Sequence, residues 1–125
     1  MHRLLILTLC FFVKFSYSQI EIDWSTLADV EFTDVYMEEE DEYFLYPHFG
    51  MNVQELAGKQ VVIRGFVLAI DPTDNYYILS KGPFSSCFFC GVGGPETIIE
   101  LEMKSKKDVF IMDEVATMKG TLKLN

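Results

Sequence analysis

Apolar and polar residues alternate along the chain in short runs, a pattern that predicts β-strands rather than long helices. The strongest run is Lys59–Ile70, where apolar residues occupy both faces and Gly65 lies in the middle. This combination predicts a long, bent strand that is covered on both sides. The turn-forming residues 71–75 and a second strand-like run, Tyr76–Ser80, follow, so residues 60–80 are expected to form a hairpin.

Weaker patterns predict the remaining elements. The segment Phe44–Phe49 contains Pro47, which lacks a backbone N–H, so an extended edge segment is expected there. Helical signals occur only over 52–58, where Asn52 and Glu55 have the spacing of a capping box. Further extended segments are predicted at 29–36, 97–103, 109–112 and 115–124.

This series of short strands predicts a mainly all-β protein, a small antiparallel barrel with one short helix. The order of the strands, beginning with a long glycine-bent one, resembles an OB-fold. We expect the barrel to occupy residues 50–125. Residues 19–49 are then an N-terminal extension with one strand and an acidic loop at 38–42.

The first eighteen residues have the features of a secretory signal peptide. Basic Arg3 precedes the apolar run 4–13, and small residues at 16–18 favour cleavage before Gln19. We therefore expect an exported protein, periplasmic or secreted, with no transmembrane segment after cleavage. A lipoprotein anchored through Cys10 is the less favoured alternative, because Leu9 is large for that processing site.

The charge balance excludes one class of partner. The full chain carries a net charge of −9, and removal of Arg3 and Lys14 with the signal peptide leaves a net charge of −11. A domain this acidic repels the phosphate backbone of nucleic acids, and nucleic acid is therefore not an expected partner.

Candidate chemistry is concentrated in the segment 87–96, which holds Cys87 and Cys90. A Cys-x-x-Cys pair supplies half of a tetrahedral zinc site. His48 and Glu96 are the candidates for the other two ligands, and a second chain that contributes its own cysteine pair is another route. On this hypothesis the protein binds a thiophilic metal ion such as zinc and is not an enzyme.

A Cys87–Cys90 disulfide is the alternative, because exported cysteines are often paired. The locked loop would then bind a protein of the cell envelope through residues between and after the cysteines. A catalytic disulfide is less favoured, since the following residues 91–95 cannot begin a good helix that would activate the first thiol. The expected partner-binding residues are Phe88, Phe89, Gly91, Gly94 and Pro95.

Four blocks of the chain carry a resemblance to a known family: Leu56-Ala57-Gly58-Lys59, Tyr77-Ile78-Leu79-Ser80, Pro83-Phe84-Ser85-Ser86-Cys87-Phe88-Phe89-Cys90-Gly91 and Gly94-Pro95-Glu96. They resemble a family of small exported Bacteroidetes proteins of uncharacterised activity. More distantly, the chain is similar to exported proteobacterial proteins, some of them encoded near metal-uptake transporters. The resemblance covers roughly residues 50–124 and implies an OB-like domain outside the cytoplasm. The link to metal-uptake transporters weakly favours a metal-binding function. Relatives run on beyond the equivalent of residues 120–125, so this chain is expected to lack their final segment, which leaves the closure of the barrel open.

Overall fold

The computed structural model describes residues 18–125, and the signal-peptide prediction for 1–18 falls almost entirely outside this range. The described chain is mostly β-structure, as the sequence predicts. Its elements are β1 (Ile20–Glu21), α1 (Trp24–Leu27), β2 (Val30–Met37), β3 (Glu42–Phe49), α2 (Met51–Gln54), β4 (Gln60–Asp71), β5 (Tyr76–Ser80), β6 (Ile98–Leu101) and β7 (Glu114–Thr121). Short 3-10 turns lie at Pro72–Asp74, Phe84–Ser86, Phe88–Cys90 and Pro95–Thr97.

Strand β4 is the centre of the main sheet. On one side it pairs antiparallel with all of β7, from Gln60 opposite Thr121 to Val67 opposite Glu114. On the other side its first part pairs with β1 in parallel, and its second part pairs antiparallel with β5, which is followed by β6. The predicted long strand is therefore present, and it pairs along both of its edges within a single sheet.

The sheet is not closed, so the barrel is not confirmed. Within residues 18–125, β6 pairs only with β5, and the strand expected at 109–112 is absent. That segment is a turn instead: Asp113 has a φ of 66°, and the Glu114 carboxylate accepts a hydrogen bond from the Ile111 N–H. The Tyr77 hydroxyl likewise accepts the Phe110 N–H. Because side chains take these two backbone groups, the segment does not extend the ladder beyond β6.

Apolar side chains pack on both faces of β4, as its pattern predicts. The larger cluster lies on one face, and a smaller one, built on Leu68, Ile78 and the thiol of Cys87, lies on the other. The smaller cluster anchors the loop that follows β5 against the sheet. The buried members of the larger cluster are Leu27, Leu56, Val61, Ile63, Val67, Tyr77, Leu79 and Leu122.

The N-terminal region contains more structure than expected. Residues 19–49 hold three strands and helix α1, where the sequence predicted one strand. Asp23 caps α1, and the indole N–H of Trp24 donates a 2.9 Å hydrogen bond to the carbonyl of Arg64. Short elements of two and four residues give too little periodicity to be recognised, and contacts with β4 and the core stabilise them.

Residues 18–125 contain two short α-helices rather than one. The helix expected over 52–58 begins earlier, at Met51, with Gly50 as its N-cap. The capping box predicted for Asn52 does not form, because the Asp29 carboxylate accepts the Asn52 N–H at 3.1 Å. A distant side chain has thus replaced the local cap.

Candidate functional site

The segment between β5 and β6 is a shaped loop fixed at both ends. Lys81 N–H donates to the carbonyl of Thr97 at 2.9 Å and closes its base. Phe84 N–H donates to the Asp113 carboxylate at 2.7 Å, which ties the loop to the turn before β7. These bonds hold the cysteine-containing part over the smaller apolar cluster.

The two cysteines occupy one tight turn. The carbonyl of Cys87 accepts hydrogen bonds from the N–H groups of Cys90 at 3.0 Å and Val92 at 3.1 Å. Gly91 ends the turn with a φ of 81°, a left-handed conformation that favours glycine. The spacing Cys-x-x-Cys-Gly is therefore explained by backbone geometry that brings residues 87 and 90 together.

The two thiols have different environments, and both are free. Cys87 is 2% exposed and packs against Leu68, Ile78 and Ile98. Cys90 is exposed, and its Sγ donates a 2.9 Å hydrogen bond to the carbonyl of Phe84.

The electrostatics of Cys90 argue against an activated nucleophile. Partial desolvation of its Sγ raises the pKa of the Cys90 thiol above its ordinary value, and the neighbouring Cys87 raises it further. In redox Cys-x-x-Cys motifs the attacking thiolate is the first cysteine. Here that residue is Cys87, whose 2% exposure keeps it from reaching a substrate disulfide. The arrangement is suited to holding a ligand or forming a disulfide rather than to catalysing disulfide exchange.

The expected ligands His48 and Glu96 do not join the cysteines. Within residues 18–125 no group of three or more His, Cys, Asp or Glu side chains could hold a metal ion. His48 lies on β3, where its Nε2 is 2.8 Å from the hydroxyl of Thr33. The Glu96 carboxylate folds back against Gly94, where it takes the space of a Cβ atom. The structure of residues 18–125 therefore does not bring the four predicted ligands together, and the metal site stays a prediction.

The residues expected to bind a partner surround the turn. The rings of Phe88 and Phe89 meet edge to face at 5.8 Å, and Phe89 is 50% exposed. Gly91 and Gly94 shape the turn, and Pro95 begins the last 3-10 turn before β6. The loop thus presents two aromatic rings to solvent, Phe89 and the 41% exposed Phe84, while Gly91 provides its left-handed backbone conformation.

An apolar cleft of about 340 Å³ lies beside this ring. Sequence reasoning missed it, because its walls come from β4, the loop and the segment before β7. The only local signal was the number of aromatic residues near the cysteines. The lining residues are Ala69, Ile70, Phe84, Phe89 and Met112.

Comparisons with known proteins leave the site to be interpreted from its own chemistry. No family model, no curated protein and no solved structure matches this chain. Within residues 18–125, no helix has the length and hydrophobicity needed to cross a membrane.

Proposed function

We propose that this protein is an exported, non-enzymatic binding domain that holds a thiophilic metal ion through Cys87 and Cys90. The observation that carries the proposal is the tight turn, in which one carbonyl accepts two N–H groups and brings both cysteines together. Export rests on the signal-peptide pattern of residues 1–18. The likeness to an OB-fold also remains a proposal, supported by the long strand β4, which pairs along both edges, and by the strand order.

The number of available ligands decides which ions suit the site. Zinc takes four ligands in structural sites, so two cysteines suffice only if a second chain contributes its own pair. Cu(I) is soft, prefers thiolates and accepts low coordination numbers. One chain of this protein therefore suits Cu(I), whereas zinc requires two chains.

Native mass spectrometry tests the proposal on protein purified without chelator or added reductant. Titration with Cu(I) is expected to give one ion per chain, and titration with zinc one ion per two chains. Cys87→Ser and Cys90→Ser should each abolish stoichiometric binding. His48→Ala and Glu96→Gln are matched controls that should bind normally, since neither side chain lies in a group with the cysteines.

Two results would overturn the metal proposal. One is binding of Cu(I) or zinc that persists at full stoichiometry in the double Cys87→Ser, Cys90→Ser variant. The other is a protein two hydrogens lighter than its reduced form that takes up neither ion after reduction.

The apolar cleft favours a second candidate, an adaptor domain whose loop binds a protein of the envelope. In that case Cys87 and Cys90 form a disulfide that locks the loop, and the exposed Phe89 ring contacts the partner. Counting free thiols in oxidatively isolated protein separates the two candidates. Zero free thiols supports the locked adaptor, and two free thiols with bound metal supports the metal site.

A further inference from the structure

Strands β2 and β3 form a two-stranded sheet of their own, which we call the hairpin, residues 30–49. The strands pair antiparallel along their full length, from Val30 opposite Phe49 to Met37 opposite Glu42. Every residue from Thr33 to Tyr46 is exposed. The greater part of the hairpin therefore projects into solvent.

The exposed part of the hairpin is strongly apolar on both faces. By strand alternation, Val35, Met37, Phe44 and Tyr46 lie on one face, and Tyr36, Tyr43 and Leu45 on the other. These seven side chains are between 37% and 72% exposed. A continuous exposed apolar surface of this kind is typical of a binding site.

The hairpin also lacks a third strand. Isolated two-stranded hairpins are marginally stable in water, and a third strand is usually needed. Among the described residues none pairs with the outer edge of β2, which runs for eight residues without proline. Strand β3 is the poorer edge, because Pro47 lacks an N–H group. The backbone of β2 is thus open to an added strand.

The charge of the hairpin indicates which residue types a strand added to β2 would contain. The hairpin carries seven acidic residues and no Lys or Arg, so it accounts for most of the chain's net charge of −9. Five of the seven are consecutive at its tip, Glu38–Glu42. The negative charge of the hairpin would repel the same hairpin of a second copy, and it would also repel an anionic lipid surface. A cationic protein segment is attracted.

We propose that the edge of β2 binds an extended segment of another protein in which Lys or Arg residues alternate with apolar ones. The segment adds a third strand through main-chain hydrogen bonds. Its apolar side chains cover Val35 and Met37 on one face, and its basic side chains face Asp34 on the other. This inference is independent of the cysteine loop.

The test uses the full chain and an eight-residue peptide that alternates Lys with Val or Phe. Fluorescence anisotropy should show saturable binding that weakens as salt is raised. The same peptide with Glu in place of Lys should not bind. On binding, hydrogen exchange should slow at those β2 amides that point away from β3, and β3 amides should be unaffected.

Two variants and one control locate the surface. Glu39→Lys with Glu40→Lys lies in the exposed turn between the strands and should weaken binding by roughly tenfold. Tyr43→Ser should also weaken it, whereas Ile111→Ser, a control outside the hairpin with the same 72% exposure, should not. If Tyr43→Ser unfolds the hairpin, the variant Glu39→Lys with Glu40→Lys still tests whether the peptide binds there.

Other occupants give different results, and each overturns the proposal. Self-association in sedimentation that the hairpin variants abolish assigns the surface to a second copy. Binding to vesicles of phosphatidylglycerol but not to peptide assigns it to a membrane. No binding to any of these probes also refutes it.

Discussion

Replacement of Gly65 by alanine tests how β4 packs at the centre of the sheet. A Cβ atom at this position would lie 2.6 Å from the carbonyl oxygen of Ser80, 2.9 Å from the Trp24 ring and 3.0 Å from Leu79. The closest of these is backbone, which cannot rotate away, so β4 and β5 must separate. Overpacking of this kind typically costs 1–3 kcal/mol, and we expect about 3 kcal/mol here because backbone must move.

Gly120→Ala is the matched control, since Gly120 also lies in a strand, β7, opposite Val61. A Cβ atom there would have nothing within 4 Å. Alanine should leave stability unchanged or raise it by up to about 1 kcal/mol, because glycine is unfavourable in a strand interior.

The free energy of unfolding can be measured in urea from the fluorescence of Trp24, the single tryptophan. Gly65→Ala should lower it by about 3 kcal/mol and reduce the Tm by on the order of 10 °C. A loss below about 0.5 kcal/mol with an unchanged m-value would refute the reasoning. So would equal losses in both variants, which would point to a general effect of alanine rather than the contact with Ser80.

Two further predictions concern hydrogen bonds. Tyr77→Phe removes the buried hydroxyl that accepts the Phe110 N–H at 3.3 Å, and should cost about 1 kcal/mol in urea unfolding, whereas Tyr76→Phe on the exposed side should cost nothing measurable. Hydrogen bonds from the Ser25 hydroxyl and from Thr26 hold the pKa of Asp23 below its ordinary value of 3.8. The charged form therefore stabilises the fold above that value, and the contribution is lost as the pH falls through the lowered pKa. The stability advantage of the wild type over Asp23→Asn should shrink between neutral pH and pH 3; an advantage of equal size at both would contradict it.

Local sequence information was sufficient for the elements near the middle of the chain. Strand β5 has the bounds that alternation predicts, and β4 differs by one residue at each end. Here each signal lies within the segment itself: each strand is a short, mainly apolar run, and turn-forming residues separate the two.

The N-terminal region shows where local information failed. Pro47 favoured an edge segment, and it does lie in an edge strand, but the full pairing of β2 with β3 came from contacts between residues up to 19 positions apart. The cap of α2 is likewise set by Asp29, a residue outside the helix. The sequence pattern carries no direct signal for such partners.

The candidate site also has features that follow from local sequence and features that depend on tertiary contacts. The sequence by itself determined that Cys87 and Cys90 lie in one turn, since two intervening residues and Gly91 leave the backbone few alternatives. Only the tertiary structure decided that His48 stays on the hairpin, that Met112 lines the cleft beside Phe89, and that the sheet remains open at β6. Those outcomes depend on which distant segments pack together, and that choice reflects the burial of the whole apolar core rather than the pattern of any one segment.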